Sequence, residues 1–283
     1  MNTPKISIIV ASYNNADYFI DCYESLISQS EQDWEAVVID DCSTDNSAET
    51  IKELTKNDDR FKVIFNENNI GYQKTLIKGI SISSAPIFAK LDSDDALKPD
   101  AIKISLNAHE EFPEVGLVYT GFIYCDENLN EIKEHHCKQI NDLNEEYYNF
   151  RGEISHFISL KKEIYNKTTG IDTFIRRAED KDLFMKMCEI APVKLIDNPQ
   201  YLYRYHNGGM STYKNSEKAL FWHWVAMIKM AERRNINIED LFIEHYIPKN
   251  KYLLLEYKIN SLKKSRLLKL LYKLGIFKAY KYL

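Results

Sequence analysis

Ile87-Phe88-Ala89-Lys90-Leu91-Asp92-Ser93-Asp94-Asp95 runs from a short, mostly apolar segment straight into three carboxylates. A strand buried on both faces needs such a run. Upstream the same juxtaposition recurs, with Asp40-Asp41 directly after Ala36-Val37-Val38-Ile39 and Asp45 close behind. Ile6 to Ala11 and Phe61 to Phe65 supply two further strand-like runs. Helical spacing fills the intervals: Asp17 to Gln29 with Phe19, Cys22, Tyr23, Leu26 and Ile27 on one face, Asn46 to Asn57 with Ser43 or Asp45 as cap, and Thr75 to Ile82. Repeated β-α units predict an α/β fold, a mostly parallel sheet flanked by helices. Ligands of such sheets bind beyond the carboxyl ends of the strands, where these acids stand.

After Asp100 the pattern changes. Ala101 to Phe112 reads as helix, Gly116 to Tyr124 alternates like a strand, and Asn141 to Arg151 has no clear period. A helix is expected over Asp180 to Ile190, then strands at Val193 to Ile196 and Tyr201 to Tyr205, then helices over 216–234 and 251–274. The expected division is a domain of residues 1–213 followed by a helical extension of residues 214–283. The 283 residues contain 45% apolar and 28% charged side chains, with 19 Tyr and 13 Phe, which is enough apolar mass for a large core and excludes a disordered chain. Five scattered cysteines without a CxxC pair argue against a disulfide framework or a structural zinc site and for a reducing cytoplasm. Met1 to Lys5 has no basic region or cleavage site, so no secretory signal is expected. No apolar run reaches the roughly 18 residues a membrane span requires. Charge is uneven: Lys249 to Leu283 holds ten basic residues and one acid, Glu256, against a net charge of −5 for the whole chain. The tail therefore carries +9 and the rest −14, which points the tail toward an anionic surface and makes the acidic body a poor nucleic-acid binder.

Three acidic constellations carry the chemistry. Asp40-Asp41 either caps the next helix or accepts hydrogen bonds from a base or a ribose. Asp92, Asp94 and Asp95 repel one another and are comfortable in water or around a hard divalent cation that also binds phosphates. Glu179-Asp180 opens a helical stretch, where the acids either complement the dipole or present a general base to an acceptor hydroxyl. A fourth element, Tyr203-Arg204-Tyr205-His206 before Gly208-Gly209, offers an imidazole that is structural or completes a metal shell.

The ordered set resembles the family 2 glycosyltransferases, which have the GT-A fold. The carrying residues are Ser7 to Asn14, Gln29, Val38 to Asp45, Asn69-Ile70-Gly71, Leu91 to Asp95, Ala178 to Leu183, Tyr203 to His206 and Ser211. They cover residues 4 to 212. The resemblance implies an inverting enzyme that moves a sugar from a nucleotide-sugar donor, most often a UDP-sugar, to a glycan or lipid-linked acceptor, as in bacterial surface polysaccharide synthesis. It implies a divalent Mn²⁺ or Mg²⁺ cofactor. By the same resemblance Ala11, Tyr13 and Asp41, with Asp40 nearby, hold the nucleoside. Asp94 binds the metal, Asp92 lies near the ribose or the metal, Asp95 can stand in for either, and His206 is a late metal or diphosphate contact. Asp180 is the catalytic base. Glu179, His156, Arg176 and Arg177 are expected near the acceptor. The chain departs from the pattern at Leu76-Ile77, where relatives often carry Arg-Asn and where Lys74 or Lys78 would supply the charge. It departs again at Cys42, where glycine is common, and at Lys161-Lys162, near which relatives often have arginine.

Two rival functions are weighed. A nucleotidyltransferase usually shows a Gly-rich basic loop after the first strand, and Ser12 to Asp17 has neither glycine nor lysine. A non-catalytic sugar or nucleotide binder has no need of Asp180. Leucines and lysines alternate through 249–283 as in a basic amphipathic helix, which either lies on a membrane, placing the enzyme peripherally on its cytoplasmic face, or packs on the body or at a subunit interface of an oligomer.

Overall fold

The computed structural model describes residues 3–141, 152–206, 215–245 and 249–282. The expectations for 142–151, for the 207–213 loop and for Ser211 lie outside them. In chain order the first half comprises β1 (Ile6–Ser12), α1 (Phe19–Ile27), β2 (Trp34–Asp40), α2 (Ser47–Thr55), β3 (Phe61–Phe65), α3 (Tyr72–Ile82), β4 (Ile87–Lys90), β5 (Ala96–Leu97) and α4 (Ala101–Glu111). Then follow β6 (Leu117–Tyr119), β7 (Phe122–Cys125), β8 (Glu131–His135), β9 (Ile158–Lys161), α5 (Lys162–Tyr165), α6 (Glu179–Cys188), β10 (Val193–Leu195), β11 (Tyr201–Arg204) and α7 (Ser216–Arg234). The chain continues through α8 (Glu239–His245), α9 (Lys249–Lys264), α10 (Arg266–Lys273) and a 3-10 turn, Lys278–Tyr282.

A seven-stranded sheet runs in the order β10-β6-β9-β4-β1-β2-β3. Its pairs are parallel except where β9 meets β4 and β6. β2 is buried along its whole length, with the apolar run Ala36 to Ile39 at its centre. One core packs α1, α2 and α4 against one face through Phe19, Leu26, Ile51 and Ile102. A second packs α3 and α6 against the other through Leu76, Ile80, Leu183 and Phe184. A four-stranded sheet, β5-β11-β7-β8, stands beside the first.

The alternating segment from Gly116 to Tyr124 is two strands rather than one. β6 belongs to the large sheet and β7 to the small one, and the chain crosses between them at Thr120-Gly121. A Cβ at Gly121 would lie 2.2 Å from the backbone oxygen of His135, so only glycine fits that crossing. β8 and β9 escape sequence reading: β8 is polar and largely exposed, and β9 is only four residues long. The expected helix over 251–274 is broken at Ser265, whose Oγ accepts from Leu268 N at the start of α10.

The chain forms two compact units, residues 1–234 and 235–283. Helix α7, read from the sequence as part of the extension, therefore groups with the first unit. It buries Trp224, Ala226, Met227, Met230 and Ala231, and it meets a buried charge on α6. Asp182 is fully buried on α6, paired with Lys186 at 2.7 Å and with Arg233 of α7 at 2.8 Å.

Candidate active site

The carboxyl ends of β1, β2 and β4 open together onto one cleft of about 800 Å³. Ala11, Tyr13, Asp41, Asp92, Asp94 and Asp95 line it from the strand ends. His156, Arg177, Glu179, Asp180 and His206 line it from later segments. Lys74 and Arg176 are exposed and do not line the cleft, and Asp40 is buried beneath it.

Side chains bind the strand ends together. Asp40 accepts from Ser43 N at 3.0 Å and from the Ser43 hydroxyl, which closes the turn after β2. Asp45 accepts from Ser47 N at 2.9 Å and so satisfies the start of α2. Asn15 Nδ2 donates to Ser93 Oγ at 2.8 Å, tying the loop after β1 to the acidic turn after β4. Asp41 holds a third loop: its Oδ1 accepts from Asn66 Nδ2 at 2.8 Å and Ile70 N at 2.9 Å, and its Oδ2 from Gly71 N at 2.8 Å. Lys78 Nζ donates to Asn66 Oδ1 at 2.7 Å, so its charge supports that loop from behind. Leu76, at the departure from the family pattern, is a core residue. Cys42 has φ 61°, in the left-handed region that favours glycine, which accounts for the glycine common there in the resemblance. It is half-buried, whereas the other four cysteines are buried and all five are free thiols. Lys162 Nζ donates to Ser83 O at 2.6 Å and Lys161 Nζ to Pro113 O, so neither is placed in the cleft.

The three acids after β4 have separate tasks. Asp95 is buried and accepts from Arg204 N and Tyr201 OH, both at 2.7 Å, which pins the acidic turn to β11. Burial and the neighbouring Asp94 and Asp92 hold its carboxyl well above the usual range. It therefore fastens the acidic turn of the large sheet to β11 of the small one. Asp92 accepts from the Tyr72 hydroxyl and pairs with Lys90 Nζ at 3.1 Å. Burial is the largest single influence and opposes its charge, but Lys90 and the Tyr72 hydroxyl, acting together with its other neighbours, lower its pKa. Asp94 faces His206, with Oδ2 2.9 Å from Nε2, and the His206 ring packs on Tyr18 with centroids 4.9 Å apart.

The opposite wall is the start of α6. Ala178 has φ 63° and ψ 23°, a left-handed turn immediately before Glu179 and Asp180. It brings both carboxyls to the cleft at a helix N-terminus, where negative charge is favoured. Glu179 is buried and also borders a small apolar cavity of about 40 Å³ lined by Ile9, Leu76 and Phe88. Burial, then Asp180, pushes its carboxyl up to about 8. Burial thus favours the protonated form of Glu179. His156 packs between the two walls, its ring 4.7 Å from Tyr201 and 6.0 Å from Tyr203. Burial and then Lys90 push it down to about 4, so it stays neutral.

Two further groups lining the cleft were given no role by the sequence. Lys90 ends β4 with a half-buried ammonium beside Asp92 and lines the cleft with Asp180 and Glu179; burial opposes its charge, yet Asp92, then Tyr72 and Asp180, hold its pKa well above the ordinary value. Its signal was a lysine inside an otherwise apolar strand run. Arg204 lies beneath the acidic turn, donating to Asp94 O at 2.6 Å and to Asp21, with Tyr18 under its guanidinium at 4.6 Å.

Among the described residues no three His, Cys, Asp or Glu side chains converge into a ready-made metal cage. Asp94 and His206 nevertheless present an oxygen and a nitrogen donor within 2.9 Å of each other in the cleft. That pair suits Mn²⁺ or Mg²⁺ completing its shell with phosphate oxygens and water.

A mixed, largely parallel sheet flanked by helices, with this cleft at its strand ends, is the architecture of a GT-A glycosyltransferase. The family model described as Glycosyl transferase family 2 matches residues 7–169, more than half the chain, and the chain belongs to that family. It is 26% identical over 236 residues to a chondroitin synthase of Pasteurella multocida, covering 83% of this chain and 24% of that protein. It is 28% identical over 222 residues to the glycosyltransferase GlyG of Streptococcus pneumoniae, covering 72% of each. The chain thus spans about a quarter of the length of the chondroitin synthases it matches. Among solved structures, S. aureus TarS 1-349 in complex with UDP-GlcNAc superposes with a TM-score of 0.64 at 19% identity, covering 80% of this chain and 66% of that one. The mannosyltransferase PcManGT of Pyrobaculum calidifontis, solved with GDP-Man and Mn²⁺, gives 0.66 at 15% identity, covering all of this chain and 83% of that one.

Proposed function

We propose that this chain is an inverting, metal-dependent glycosyltransferase that moves a sugar from a nucleotide-sugar donor, most simply a UDP-sugar, to the hydroxyl of a glycan or lipid-linked glycan in polysaccharide synthesis. The observation that carries this reading is the convergence of Asp41, Asp94 and Asp180, from three distant segments, on one cleft. The donor class is supported by the two neighbours solved with UDP-GlcNAc and GDP-Man. A lipid-linked acceptor would set the reaction at the cytoplasmic face of a membrane.

The nucleoside lies over the ends of β1 and β2. Tyr13, 47% exposed, offers its ring to the base. Asp41 fixes the Asn66–Gly71 loop below and keeps acceptor capacity on Oδ2 for a base N–H. Asp94 and His206 would hold the divalent ion, which neutralises charge on the departing diphosphate. Lys90 sets a fixed positive charge between the donor and the base. Asp180 takes the proton of the acceptor hydroxyl as that oxygen attacks the anomeric carbon. The sugar–phosphate bond breaks on the opposite side, and the diphosphate leaves with the electron pair. One base and one displacement invert the centre without a covalent intermediate. Glu179, whose carboxyl burial and then Asp180 push up to about 8, favours its protonated form and leaves the base role to Asp180.

Transfer, donor hydrolysis and nucleotide affinity measured together test the reading. Asp180→Asn is expected to keep nucleotide affinity and lose transfer by about a thousandfold, and EDTA to abolish transfer by the parent. Parental turnover by the Asn variant removes the base assignment; undiminished turnover in EDTA removes the metal.

A further inference from the structure

Residues 252–276 expose twelve large apolar side chains amid lysines. Every described side chain of α9 is exposed, and none in α10 is buried. The faces of α10 are sharply divided. Arg266, Lys269 and Lys273 recur at i, i+3 and i+7, within about 60° of one another on a helix of 3.6 residues per turn. Leu267, Leu270 and Leu274 follow the same spacing one residue later and are 64%, 54% and 62% exposed. No acid occurs after Glu256. Among the described residues no helix is long and apolar enough to cross a membrane.

We propose that α10, continued by Leu274 and Ile276, lies in the surface of an anionic lipid bilayer, with Leu267, Leu270 and Leu274 among the acyl chains and Arg266, Lys269 and Lys273 at the headgroups. Two demands decide the occupant. The leucine face requires an apolar phase, and the cationic face requires negative charge along its whole length. A second copy docked through the same face would bring two rows of cations together with no acid to offset them, because like charges at close range repel. An anionic bilayer meets both demands at once. The ten basic residues and single acid of 249–283 extend the same complementarity along α9. This goes beyond the catalytic reading and does not depend on it.

The test uses the full chain in flotation with vesicles of phosphatidylcholine alone and of equimolar phosphatidylcholine and phosphatidylglycerol, without nucleotide sugar. Binding is expected to the mixed vesicles only, and to weaken with salt. Leu267→Ser/Leu270→Ser/Leu274→Ser is expected to weaken it about tenfold or more, and Lys269→Glu/Lys273→Glu by about tenfold. Both variants should melt at the parental temperature, since the altered side chains are exposed. The inference is overturned if the parent ignores mixed vesicles, if it binds pure phosphatidylcholine equally well, or if the serine variant binds like the parent. It is likewise overturned if the serine variant converts a dimer to a monomer in sedimentation while vesicle binding is unchanged, which would make the face a contact between copies. Donor hydrolysis, assayed separately, reports on the transferase reading alone.

Discussion

Lys90 and Asp92 face each other at the end of β4 with side chains 19% and 21% exposed. Removing one partner of a buried pair costs about 3–5 kcal/mol, and this degree of exposure puts the cost near the lower figure. Lys90→Met is therefore expected to lower the melting midpoint and to cut transfer by about a hundredfold, since it also strips the positive charge facing Asp180 and Glu179. Two controls separate these effects. Lys90→Arg should recover part of the transfer, and Lys90→Met/Asp92→Asn should recover the midpoint but not the transfer. A double variant that regained full transfer would show that Lys90 does no more than neutralise Asp92. The acids themselves were legible in the sequence, because carboxylates after apolar runs have few comfortable settings. Their division of labour was not. Asp95 differs from Asp94 only in which way the turn directs it, and that depends on Arg204 and Tyr201, over a hundred residues away.

At the level of elements, the strands that were easy to read are those buried on both faces: β1, β2 and β4 announce themselves by mostly apolar runs. β8, exposed and polar, and the two-residue β5 carry no such pattern, because pairing with neighbours rather than burial defines them. The split of Gly116–Tyr124 into strands of two sheets was hidden for a related reason: alternation continues across a change of partner. Gly121 marks that change. Gly121→Ala would force a Cβ to within 2.2 Å of a backbone oxygen, so either the His135 strand or the crossing must move. The expected cost is about 2 kcal/mol, a fall of about 4–8 °C in the melting midpoint. Calorimetry of the purified variant checks it, and an unchanged midpoint would mean the crossing is looser than its geometry indicates.

Across the whole molecule, the two large cores draw, among the described residues, on residues up to Tyr203, all within the first compact unit. A chain ending at Arg234 is expected to melt cooperatively within about 3 °C of the full chain; a broad or strongly lowered transition would show that the remaining residues contribute to that core. The thiols follow the same division between interior and surface. Only Cys42 is within reach of solvent, and it adjoins Asp41 on the turn where the nucleoside is expected. A maleimide fluorophore would thus attach at one position without any engineering of the other cysteines. Its emission, sensitive to what settles beside it, would turn the unmodified chain into its own titration sensor for candidate donors.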